Sequence, residues 1–202
     1  PCVSGAGDLV EAFHLRGSLS AFLGLDVMGH GTFSSLVAYS TRGLVRELLR
    51  SPGDGGPPSP AGLVGLLNES YANEGEGKPF FTMVFGILDG KDGAWRLVRA
   101  GHPPVLVLPR AGPGRVVDSR GGALGVLSHI DVEEASGRLE PGDRLVVMSD
   151  GYLEAAGGID LEVAVGIVLS FMAAHRSEGL GDFVRSLRDL AMGGLPAAVL
   201  KD

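Results

Sequence analysis

The chain has 202 residues, of which 45% are hydrophobic and 20% charged, a globular balance with enough apolar material for a real core. Its net charge of −7, with no basic block, argues against nucleic acid as a partner and leaves room for cations. One cysteine, Cys2, excludes an internal disulfide and a cysteine-built zinc site and fits a reducing, cytoplasmic setting; no apolar run reaches the roughly 18 residues that a membrane span needs.

The start carries no basic-then-apolar signal sequence. Residues 1–7 read as a short turn. "VEAFHL" and "LSAFLGLDV" then read as two strands of a hairpin with Gly17 in the turn. "TFSSLVAYSTRGLVRELLR" (32–50) carries Leu36, Val37, Leu44, Val45, Leu48 and Leu49 at helical spacing. "SPGDGGPPSP" is a surface loop by composition, and Pro60 opens a second helix. "FFTMVFGILDG" and "AWRLVRAGH" flank "KDG" as another hairpin, and "PVLVLPRAG", "GRVVDS" and "DRLVVMSDG" continue the strand pattern. Two helices, "EVAVGIVLSFMAAHR" and "GLGDFVRSLRDLAMG", precede a last short strand, "PAAVLKD". Short turns between strands and grouped helices predict antiparallel sheets in a single α+β domain over 1–202.

Asp26 ends "LSAFLGL" and precedes a turn, Asp150 ends "DRLVVMS" and precedes Gly151, and Asp8 follows small residues before an apolar run. Taken alone, each is an ordinary turn residue meeting solvent. Together they fit a cluster for a hard divalent cation, which prefers carboxylates, carbonyls and water.

"GDLVEAF", "LDVMGHG", "FFTMVFGILD…WRLVRAGHPPVLVL", "LGVL" and "LEPGDRLVVMSDGYLEA" occur in an order and at a spacing that resembles the SpoIIE/RsbU-like branch of the metal-dependent (type 2C) protein serine/threonine phosphatases. The resemblance implies a four-layer α-β-β-α sandwich with two central, mainly antiparallel sheets and two Mn²⁺ or Mg²⁺ ions. It implies hydrolysis of phosphoserine or phosphothreonine on a phosphorylated regulatory protein, notably an anti-sigma-factor antagonist. Asp26 resembles the carboxylate that bridges both ions, and Val27 would add its backbone carbonyl. Asp8 resembles the ligand of the second ion, and Asp150 the one that completes the first. Gly29 and Gly31 would keep the loop close to metal and phosphate.

The family's closing Asp-Asp pair is matched here by Gly193-Gly194, which offers no ligand. A catalytically weak or inactive member that binds a phosphoprotein is therefore the alternative to an active phosphatase. The family also places a sensor or switch region on the N-terminal side, which this sequence does not contain. Glu11 reads as a solvated strand residue, and Arg42 and Arg46 as solvated helix residues that could otherwise meet phosphate. His30 could donate a proton to the leaving oxygen but reads first as a loop residue. His102 in "AGHPP" reads as a structural corner. His14, His129 and His175 read as surface residues, and Cys2 as an incidental thiol.

Overall fold

The computed structural model describes residues 7–50, 57–72, 79–151 and 160–193. The chain forms two compact units, one built from residues up to His102 together with Asp118–Arg138, the other from Pro103–Val117 and the residues from Leu139 onward.

The first unit carries β1 (Leu9–His14), β2 (Leu19–Val27), α1 (Thr32–Arg50), α2 (Pro60–Tyr71), β3 (Phe81–Asp89), β4 (Ala94–Ala100) and β7 (Glu134–Arg138). Its five strands form one antiparallel sheet in the order β1-β2-β3-β4-β7. Both expected hairpins are present, with Gly17 at φ 58° in the first turn and Gly93 at φ 74° closing the second. The register sets Leu23 against Phe85, Leu25 against Met83 and Val27 against Phe81, so these residues share one face. That face is the core: it packs with Val37, Val45 and Leu49 of α1 and Leu63 and Leu67 of α2, all buried. Of the α1 residues at helical spacing, Leu36 is the exception and points to solvent, 63% exposed.

Helix α2 starts where Pro60 was expected to open it. Ser59 caps it, its Oγ accepting the Gly62 N–H at 3.1 Å. Buried Asn68 ties this helix to the loop before β7, donating to the Leu127 carbonyl at 3.0 Å and accepting the Gly125 N–H at 3.0 Å. Strand β7, "EASGR", is an edge strand that the sequence pattern does not reveal. It has no β-branched residue, and its pairing with β4 makes it a strand.

The second unit holds β5 (Leu106–Leu108), β6 (Arg115–Val116) and β8 (Arg144–Val146) as a three-stranded antiparallel sheet ordered β6-β5-β8, with α3 (Leu161–Ala174) and α4 (Leu180–Gly193). Leu106, Leu108, Val165, Val168, Met172, Phe183 and Leu187 form its core. Asp160 caps α3 by accepting the Glu162 N–H at 2.8 Å. Arg144 lies over the Phe183 ring at 4.0 Å and donates to the Arg176 and Glu178 carbonyls, fastening β8 to the α3–α4 turn. His175, expected as a plain surface residue, stacks on Phe171 and bonds Glu178 at 2.6 Å.

The expected α+β architecture with two antiparallel sheets is therefore observed. The final strand "PAAVLKD", Cys2 and Gly194 lie outside the described residues.

Candidate metal centre

Strand pairing places Asp8 and Asp26 together. The β1–β2 ladder aligns Leu9 with Leu25, and the Val27 N–H donates to the Gly7 carbonyl at 3.4 Å, continuing the same ladder. Asp8 consequently stands directly opposite Asp26, between two hydrogen-bonded pairs. This is the narrow kind of cross-strand pair, with Cα atoms about 4.5 Å apart and side chains on one face. Both aspartates are half-buried, and neither is without a polar interaction.

The row continues into β3. Thr82 is aligned with Asp26, and its Oγ1 shares a hydrogen bond of 2.9 Å with Nδ1 of His102. His102 is 2% exposed, which supports the structural reading of the "AGHPP" corner. Arg99 holds that corner, its Nη1 donating to the His102 carbonyl and its Nε to the Ser119 carbonyl, each at 2.8 Å. Burial lowers the Arg99 pKa from its usual value. Thr82 and Arg99 were not singled out from the sequence. The available signal was a lone polar residue interrupting an apolar strand in "FFTMVF".

Gly7 explains the small residue before Asp8. A Cβ there would sit 2.4 Å from the Val27 carbonyl oxygen, so only glycine lets the strands close. Gly29 and Gly31, in the turn after β2, have φ of 95° and 93°, and open space surrounds both. Their requirement is conformational. The Gly31 carbonyl accepts the Ser35 N–H at 3.2 Å and both the Ser34 and Ser35 hydroxyls, fixing the start of α1. His30 is exposed between these glycines.

Two expectations are corrected by the geometry. Glu11 is not a solvated strand residue, and Arg42 and Arg46 are not free helix-surface cations. Glu11 lies opposite Leu23, on the face covered by α1. It accepts Arg42 Nε at 2.6 Å, Arg42 Nη2 at 2.9 Å and a close bond from Arg46 Nη2. The Arg42 fork is the main reason the Glu11 carboxyl is held below the ordinary carboxylate value; burial opposes it, and Arg46 adds to it.

Asp150 is half-buried in the second unit, in the turn four residues beyond the end of β8, rather than at the strand's last position. Among the described residues, no group of three or more His, Cys, Asp or Glu side chains is arranged to hold a metal. The arrangement in the first unit is a pair of facing carboxylates. That donor set fits Mg²⁺ or Mn²⁺, hard ions that accept one or two carboxylates and retain several waters.

The family described as Stage II sporulation protein E (SpoIIE) matches residues 17–202, and the chain belongs to that family. Asp26, Val27 and Asp150 fall within the matched span; Asp8 precedes it. The chain is 26% identical over 181 residues to Protein IcfG of Synechocystis sp., covering 77% of this chain and 28% of IcfG. It is 24% identical over 149 residues to the phosphoserine phosphatase RsbP of Bacillus subtilis, covering 74% of this chain and 37% of RsbP. The chain thus spans well under half the length of these curated relatives. Its fold is that of the PP2C phosphatase domain of SpoIIE from Bacillus subtilis, with a TM-score of 0.77 at 19% identity over 93% of this chain and 53% of that one. RsbX, a structure in complex with magnesium, matches with a TM-score of 0.64 at 12% identity over 91% of this chain and 79% of that one.

Proposed function

We propose that this chain is the catalytic domain of a cytoplasmic, metal-dependent protein serine/threonine phosphatase. Its substrate is a phosphorylated regulatory protein of the anti-sigma-factor-antagonist kind. The observation that carries the reading is Asp8 facing Asp26 across the β1–β2 ladder. Two carboxylates pressed together at a strand end suit a divalent cation, and like charges directly opposite are otherwise unfavourable in a sheet. Family membership and the name of RsbP support the reaction class.

In this reading Asp8 and Asp26 would hold a divalent cation, with the Val27 carbonyl as a further donor, and Asp150 would be a metal ligand of the second unit. When bound, the ions supply the charge that acidifies a water and neutralises phosphoryl oxygens. The chain's own work is positional. Gly7 and the Val27 N–H set the pair's spacing, and Thr82 with His102 stiffens the neighbouring strand.

The test is hydrolysis of p-nitrophenyl phosphate and of a phosphoserine peptide with and without Mn²⁺. Mn²⁺-stimulated turnover should fall by about 100-fold or more in Asp8→Asn, Asp26→Asn and Asp150→Asn, the scale on which loss of one charge-stabilising group acts. Purified protein that binds Mn²⁺ but hydrolyses neither substrate would establish the non-catalytic alternative. Variants that match the parent would remove the aspartates from the chemistry.

A further inference from the structure

We propose that the first unit contains a second ligand site, for a small organic phosphate or phosphonate with an apolar body, at the far end of β1 from the aspartate pair. Asp8 and His14 are six residues apart on an extended strand, about 20 Å. A cavity of about 430 Å³ opens at the His14 end, within the size range of small-molecule sites. Its walls include Phe13, His14 and Arg16 from β1 and the following turn, and Arg46, Leu49 and Arg50 from the last turns of α1.

The charge of these walls contrasts with the chain. The protein as a whole carries −7, yet among the described residues each Arg, Lys, Asp or Glu side chain lining this cavity is an arginine. Among the described residues, neither Arg16 nor Arg50 forms an ion pair. Arg46 shares the single Glu11 carboxylate with Arg42, so one negative charge serves two cations. The buried Nε–H of Arg46 still lacks a hydrogen-bond partner among the described residues. Its guanidinium also lies 5.6 Å from the centre of the Phe13 ring.

Guanidinium groups recognise phosphate through paired N–H donors. Phe13 and Leu49 supply apolar surface beside these donors. The chemistry that satisfies both halves is an anionic head on an apolar or aromatic body. This inference does not depend on the phosphatase reading, because no aspartate of the candidate metal centre lines the cavity.

The experiment is calorimetric titration of metal-free protein with phenylphosphonate, which cannot be hydrolysed, and separately with inorganic phosphate. The expected result is one phenylphosphonate per chain, bound at least about tenfold more tightly than phosphate and weakened by salt. Affinity should drop at least about tenfold in Arg16→Ala/Arg50→Ala, return in part in Arg16→Lys/Arg50→Lys, and stay unchanged in Asp26→Asn. Arg16 and Arg50 are exposed, and thermal melts of each variant confirm folding. If the double alanine variant does not fold, Arg50→Glu takes its place with the same expected loss. No saturable binding, equal affinity in the arginine variants, or loss of binding in Asp26→Asn would each overturn the proposal.

Discussion

Replacing Glu11 by glutamine removes one charge and leaves one acceptor between two guanidinium groups. The parent carboxylate receives a two-pronged contact from Arg42 and a further bond from Arg46. Its side chain is 15% exposed, and each arginine is 35% exposed. Hydrogen bonds to charged groups contribute about 1.5–3 kcal/mol when buried, while exposed ion pairs contribute about 0–1 kcal/mol. With the arginines a third exposed and one acceptor retained, Glu11→Gln should destabilise the protein by about 2 kcal/mol. For a chain of this length that corresponds to a fall in Tm of about 4–8 °C. The sign of the pH dependence follows from the direction of the pKa shift. A carboxyl held low in the folded state binds fewer protons there than in the unfolded chain. Its stabilisation is therefore complete above the unfolded pKa and lost as pH falls through the folded one. Urea denaturation of parent and variant at about pH 7 and about pH 3 should show the gap shrinking at the lower value, with other carboxylates cancelling in the difference. A gap that stays constant with pH, or a variant as stable as the parent at neutral pH, would refute the argument.

Gly86→Ala would place a Cβ 2.2 Å from Cζ of Phe22; it should cost about 1–3 kcal/mol in a melt, and Phe22→Leu should recover part of that. Thr82→Val deprives buried His102 of its hydroxyl partner and should cost about 1–2 kcal/mol, with Mn²⁺-stimulated turnover falling alongside. Mn²⁺ at about a hundred times its Kd should raise the stability of the parent by about 2.7 kcal/mol, and Asp26→Asn should show little of that gain. An Mn²⁺ titration that leaves the parent's Tm unmoved would count against a cation at the aspartate pair.

The fold was legible wherever local chemistry and packing agree. The hairpin through Gly17, the α1 stripe of Val37, Val45 and Leu49, and the Ser59-Pro60 start of α2 are written in spacing and caps. β7 was not legible, because "EASGR" becomes a strand only through its partner β4. The site divides in the same way. A carboxylate at the edge of an apolar run marks Asp8 and Asp26 as candidates, but their opposition depends on a strand register that no single window contains. The Glu11–Arg42–Arg46 cluster was misread for that reason. Its members lie 31 and 35 positions apart, and only the placement of β1 beneath α1 brings them together.

The two faces of β1 link these findings. Glu11 lies on the face covered by α1, and Asp8 on the other. Side chains alternate with a period of two, so a one-residue slip of β1 would carry Glu11 away from both arginines and Asp8 away from Asp26. The ion pair and the aspartate pair therefore require the same register. Glu11 is not its sole support: the Val27–Gly7 hydrogen bond and buried Leu9 fix β1 from the aspartate end. A folded Glu11→Gln protein should consequently keep Asp8 opposite Asp26 and retain most of its Mn²⁺-stimulated turnover at temperatures well below its melt. Turnover lost while the far-ultraviolet spectrum and Mn²⁺ affinity stay at parental values would show that Glu11 acts on the chemistry itself. Turnover and Mn²⁺ affinity lost together, in a protein that still melts cooperatively, would show that the clamp alone sets the register.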